Sequence, residues 1–271
     1  MAISSRLSKK NEFPVAFLPR TLQKQGMSNF SLSLVLGLVA ALADVLGAVI
    51  LVRTQWEKRY LRYFVALGAG FMLAAVLLEM IPESFRLSFR WTPLLVLGGY
   101  CLIHLLEHTI TPHFHFGEET HHGEFLSTHT SNSVVAGLAA HSLFDGVAIA
   151  SGFVLSSWLG WIIFVAILLH KLPEGFTVAS VMLASGHSRV AALNSAVIVA
   201  SATLAGVLVI NFFPGWVRAG LPVAAGVAIY VSATDLVPEV NREPGIRMAL
   251  VFFGGVAGFL VCKLVADGVL R

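Results

Sequence analysis

Residues 131–183 read SNSVVAGLAAHSLFDGVAIASGFVLSSWLGWIIFVAILLHKLPEGFTVASVML, two apolar runs joined at a short Ser-Ser-Trp turn. Asp145, Lys171 and Glu174 are the only acidic or lysine/arginine side chains in the whole stretch. About 20 apolar residues suffice to cross a bilayer as a helix, and lipid offers the backbone no hydrogen-bonding partner. Each run is therefore expected to be a membrane-spanning α-helix, with its neighbour antiparallel to it.

The rest of the chain repeats this pattern. Eight spans are expected, at about 30–52, 62–81, 91–110, 131–155, 158–183, 189–213, 216–238 and 246–268. The chain has 271 residues, 56% hydrophobic and 12% charged. A soluble domain carries about a quarter charged residues, so too little polar surface remains to cover a globule in water. The fold class expected is all-α, a polytopic membrane protein of eight transmembrane helices. Frequent Gly and Ala let such helices approach closely.

Two segments fall outside the spans. Residues 1–29 form a polar, basic stretch with Arg6, Lys9, Lys10, Arg20 and Lys24 and no signal-peptide core, expected to be a disordered leader. Residues 30–271 form the membrane domain. Within it, the loop at 111–130 carries His113, His115, His121, His122 and His129 with Glu118, Glu119 and Glu124, a composition suited to weak metal capture. The formal charge is +3, and its basic residues lie mainly between apolar runs. That placement suits membrane flanks, and no nucleic-acid partner is expected. Cys101 and Cys262 both sit inside apolar runs and read as small buried hydrophobes, without a disulfide.

An internal repeat links spans two and seven. Ala69-Gly70, Glu79 and Ile81-Pro82-Glu83 match Ala225-Gly226, Asp235 and Val237-Pro238-Glu239, each pair 156 residues apart. Spans two and seven cross in opposite senses if eight spans are present, so the repeat is expected to be inverted. Inverted repeats are a common build for transporters, with the substrate site near the midplane.

The chemistry concentrates in spans four and five. His141-Ser142-Leu143-Phe144-Asp145-Gly146 and His170-Lys171-Leu172-Pro173-Glu174-Gly175 each place a histidine and a carboxylate four residues apart, on one helix face. Both motifs lie about 14 residues from the turn between the spans, or roughly 20 Å at helical rise, so they meet at one depth. Ionisable groups at a bilayer centre cost about 2.5 kcal/mol or more apiece and usually mark ion paths. Two imidazoles and two carboxylates suit zinc, and iron, manganese or cobalt could also enter. Pro173 leaves the Leu169 carbonyl without its helical donor, tolerable at this depth where it lines a cavity. Gly146 and Gly175 leave room for a neighbouring backbone.

These paired hexapeptides resemble those of the ZIP family of zinc/iron-regulated transporter-like proteins. The likeness extends over residues 30–268, including the His-rich loop and the Pro-Glu ends of spans two and seven. It implies an eight-helix fold with both termini outside and metal movement toward the cytosol. By position, His141, Asp145, His170 and Glu174 would form the main transport site. Some members hold a second metal with an Asn after the first histidine and an Asn or Asp after the second. Here Ser142 and Lys171 stand at those places, and an ammonium near Glu174 can stand in for the second cation. A single-metal site is therefore expected.

Secondary metal or pathway candidates are His104 and His108 with Glu107 at the end of span three, the loop histidines His113, His115, His121 and His122, and the repeat acids Glu79 and Asp235. Asp44, in span one, could line the path or cap a neighbouring helix. The metal is read as transported substrate and no cofactor is expected. Expected partners are a divalent cation and membrane lipid, with a homodimer left open. The plasma (cell inner) membrane is the expected location, an organelle membrane the alternative. The rival reading is an intramembrane zinc-dependent hydrolase. It lacks the separate general base that a His-Glu-x-x-His helix would supply, so the chain is not expected to be an enzyme.

Overall fold

The computed structural model describes residues 20–53, 58–110, 128–241 and 246–269. Most of the expected leader lies outside this range, as do His113, His115, His121 and His122 of the His-rich loop. The described residues form ten helices: α1 (Arg20–Arg53), α2 (Lys58–Ala75), α3 (Ile81–Leu87), α4 (Thr92–Ile110), α5 (Thr128–Leu155), α6 (Ser157–Ala184), α7 (Arg189–Phe212), α8 (Val217–Tyr230), α9 (Val237–Asn241) and α10 (Ile246–Val269). Helix α1 begins at Arg20, so residues 20–29 of the expected leader are helical, and α5 begins at Thr128, inside the expected loop.

Seven helical segments among the described residues are long and apolar enough to cross a membrane. The expected third span, α4, is not among them; it nevertheless packs along α8. The molecule is an all-α, multi-pass membrane protein.

The sequence repeat has a local structural signature. Helix α2 passes into α3 through a π-helical turn at Val76–Met80, and α8 passes into α9 through another at Val231–Leu236. Each turn holds the repeat acid, Glu79 or Asp235, and each is followed by a proline, Pro82 or Pro238. A proline cannot donate to the carbonyl one turn back, and a widened turn relieves its ring's clash there. At the first site the stranded Leu78 carbonyl lies 3.5 Å from the Lys263 ammonium of α10, which also pairs with Glu79.

The repeat also governs packing. Helix α2 packs on α10, while α8 packs on α4. A Cβ at Gly70 would lie 2.0 Å from the Phe252 carbonyl oxygen, and one at Gly226 would lie 1.9 Å from that of Val96. Gly226 and Val96 are the repeat mates of Gly70 and Phe252 under the same offset. The remaining long helices, α1, α5, α6 and α7, pack together. A Cβ at Gly175 of α6 would meet the Asp44 carbonyl oxygen of α1 at 1.7 Å, and one at Gly146 of α5 would meet that of Thr203 of α7 at 1.9 Å. The pair α1/α6 thus mirrors α7/α5, with Asp44 and Thr203 at matching positions.

Two apolar clusters occupy this four-helix group. One contains Ala40, Val147, Ala150, Ile163, Ile167 and Val207; the other contains Ala48, Val135, Leu138, Val178, Val181 and Val199. On each of the four helices the clusters leave a gap, and the polar residues fill it: Asp44 on α1, 141–145 on α5, 170–174 on α6 and Thr203 on α7. A layer of charged and polar side chains thus crosses the bundle between the two apolar clusters.

Candidate metal centre

Helices α5 and α6 form a hairpin closed by Ser156, whose hydroxyl accepts from the Leu159 amide at 3.1 Å and caps α6. That one-residue joint brings the two motifs level, as their equal distance from the turn predicts. The His141 and His170 rings stack with centroids 5.7 Å apart and planes inclined by 23°.

His141, Asp145, His170 and Glu174 are all buried, and one ligand atom from each lies within 4.8 Å of the others. Asp145 Oδ2 is the shared contact. It lies 3.1 Å from His141 Nε2 and 3.3 Å from His170 Nε2. His170 Nδ1 bonds the Ala166 carbonyl at 3.1 Å, which holds the ring with Nε2 turned toward Asp145 and the other donors. His141 Nε2 is buried and forms no hydrogen bond. Two imidazole nitrogens and two carboxylates thus converge from two helices on one point, a donor set that fits a tetrahedral zinc or a related divalent ion.

Lys171 and Ser142 complete the layer. The Lys171 ammonium donates to Glu174 Oε2 and to Ser142 Oγ, each at 2.7 Å, and lies 2.9 Å from Asp145 Oδ2. The Ser142 hydroxyl in turn donates to Glu174 Oε1 at 2.5 Å. Lys171 is fully enclosed, with 0% of its side chain exposed. A buried ammonium needs partners to offset its desolvation, and it takes both carboxylates of the candidate site.

A further partner is Asp44, 3.6 Å from the Lys171 ammonium and equally enclosed. Its place beside the site was not derivable from sequence. The available signals were a lone acid in an apolar span and the Gly47 that follows it, whose missing side chain admits the Leu172 carbonyl of α6.

The secondary candidates stand outside the four-residue group, Asp235 near enough to interact with the charges of His141 and Glu107. His104 and His108 stack on each other at 4.0 Å between ring centroids, near the end of α4, and His108 Nδ1 bonds the His104 carbonyl. Glu79 is paired with Lys263, and Asp235 is buried in its π-helical turn. None of these joins the four-residue group. A narrow apolar cleft of about 10 Å³, room for one water, does reach it, lined by Met72, Val76, Met80, Ile167 and Ala228, with Asp145 on its wall. The cysteines depart from expectation: Cys101 and Cys262 are free, as expected, but exposed. An apolar thiol is at ease against lipid, so an apolar run alone does not fix which way it faces.

Residues 122–265 match the model of the ZIP zinc transporter family. The chain belongs to the ZIP family. This ZIP chain is 29% identical over 142 residues to the human zinc transporter SLC39A7, covering 47% of its own length and 30% of that protein's. It is 30% identical over 107 residues to zinc transporter zipt-7.1 of Caenorhabditis briggsae, covering 37% of itself and 27% of the relative. A third relative, zinc transporter zipt-7.2 of Caenorhabditis elegans, is 25% identical over 139 residues. The chain spans under a third of the length of these relatives. The match includes both hexapeptides, α7, α8 and most of α10.

Proposed function

We propose that this protein carries a divalent transition metal, zinc foremost and iron, manganese or cobalt as rivals, across the membrane toward the cytosol. The metal would be transported substrate, bound in passing by His141, Asp145, His170 and Glu174. The observation that carries this reading is the convergence of four buried N and O donors within 4.8 Å, from facing helices, between two apolar clusters. Two carboxylates balance the ion's two charges, which lowers its cost at that depth. The named relatives are zinc transporters, which favours zinc among the candidate ions.

Lys171 fits a one-metal site. Its ammonium fills the space beside Glu174 and Asp145 where a second cation would sit. The small cleft at Asp145 lies between α5/α6 and the flanking α2 and α8, and rocking of those flanking helices would widen it and open the site to alternate sides. The His-rich loop would gather metal before entry. Residence in the plasma membrane is part of the same reading, with an organelle membrane as the alternative and a homodimer left open. The hydrolase alternative has no support from the relatives, which are named as zinc transporters.

The test is zinc uptake into proteoliposomes, comparing wild type with a folded His170→Ala/Glu174→Ala variant. Uptake by the wild type alone is expected. Wild-type vesicles that accumulate no divalent metal under any pH gradient would overturn the reading.

A further inference from the structure

The polar layer holds three carboxylates, Asp44, Asp145 and Glu174, around one ammonium. With a divalent ion on the four candidate ligands, Asp145 and Glu174 are matched in formal charge by the metal. Lys171 then needs an anion of its own. Among the described residues, Asp44 is the only carboxylate paired with Lys171 that is not a candidate ligand. Its two oxygens are buried and accept no hydrogen bond, although the Lys171 ammonium stands 3.6 Å away, beyond bonding distance. A buried carboxylate left in that state is costly.

The mirror relation between helix pairs sharpens the point. The positions matching Asp44 and Lys171 on α7 and α5 are Thr203 and Ser142, both neutral. One half of the bundle therefore carries an acid and a base together, and the other half carries neither. Asp44 and Lys171 behave as a matched pair, adding an ammonium to the site without adding net charge.

We infer that Asp44 is a positioning residue that sets how tightly the site holds its metal, by drawing the Lys171 ammonium off Asp145 and Glu174 when the ion arrives. The inference rests on the transport reading above. Metal entry moves the ammonium toward Asp44, where a shift of under an ångström makes a hydrogen bond, and metal departure lets it return to the two ligand carboxylates. Lys171 is thereby a tethered competitor of the metal, and Asp44 decides how strongly it competes.

Zinc binding to the purified full-length chain tests this, by dye competition on wild type, Asp44→Asn, Lys171→Gln and the double variant, with thermal melts of each. Asp44→Asn is expected to weaken zinc binding about tenfold, within the range of coupling between members of one ion-pair network. In the Lys171→Gln background the same change is expected to alter affinity less than twofold, because no ammonium remains to be placed. Should Asp44→Asn fail to fold while the double variant folds, the stranded ammonium is the cause and the pairing stands. Equal weakening in both backgrounds, no weakening in either, or loss of folding in both would each overturn the inference. Failure of the transport reading itself looks different: the wild type would neither bind nor carry zinc.

Discussion

Asp145 has three nitrogen neighbours on a single oxygen, His141 Nε2 at 3.1 Å, His170 Nε2 at 3.3 Å and Lys171 Nζ at 2.9 Å. Replacing it with asparagine keeps the shape and removes the charge that all three share. Asp145→Asn is expected to abolish zinc uptake and to lower stability by about 1–3 kcal/mol, the cost of leaving buried donors poorly matched; uptake and thermal melts check the two parts separately. Acid should oppose binding. Each imidazole and carboxylate must be free of its proton to take a metal, so protons compete with zinc, affinity falls as pH drops, and binding releases protons into a weak buffer. An affinity that rises toward acid pH would contradict the assigned ligands. At this scale the sequence was nearly sufficient. His-x-x-x-Asp and His-x-x-x-Glu each fix two side chains on one face, and the short turn brings the pairs level. Asp44 is legible as a pathway candidate but not as a neighbour of Lys171, because it lies 97 residues before His141 and 126 before His170, and only the packing of α1 on α6 brings it near. The ammonium of Lys171 was foreseen beside Glu174, one turn away, but its reach to Asp145 and Asp44 depends on neighbouring helices.

Helix contacts here are set by absent side chains. Asp44 can face Lys171 only because α1 lies directly on α6, and Gly175 permits that contact by having no Cβ to strike the Asp44 carbonyl. Gly175→Ala must push the helices apart or distort them. It is expected to cost about 1–3 kcal/mol, as overpacking does in other cores, and to weaken zinc binding without touching any ligand. A melt and a zinc titration on the same sample test this, and an unchanged pair would show that α1 can shift freely. The glycines themselves were visible in sequence as room for a neighbour. Which neighbour came was not, since any backbone could have filled the gap. The two π-helical turns were likewise hidden, though the Pro82 and Pro238 that follow them were in plain view. Proline says that one hydrogen bond is missing, and the surrounding packing decides whether the helix kinks, breaks or widens.

For the molecule as a whole, hydropathy located the eight rods, to within a few residues for most but ten residues short at the start of α1, and said little about their outward faces. The thiols show why. Cys101 and Cys262 lie in apolar runs, where lipid contact and helix contact demand the same kind of side chain. Because both are exposed and free, a Cys101→Ala/Cys262→Ala chain is expected to melt within about 0.5 kcal/mol of wild type and to retain zinc uptake. A large loss would place one of them in an interface. Helix α4 carries His104, Glu107 and His108 toward its end, and its packing on α8 keeps it in the bundle.

The crossed pairing of α2 with α10 and of α8 with α4 bears on how the protein is made. A ribosome delivers α2 early and α10 late, so the groove at Gly70 stays unfilled through most of synthesis. Neither repeat can complete itself alone, because each lends a helix to the other. Insertion machinery would have to shelter α2 until its partner arrives. A chain cut between α7 and α8 should regain function only when both pieces are supplied to the same membrane.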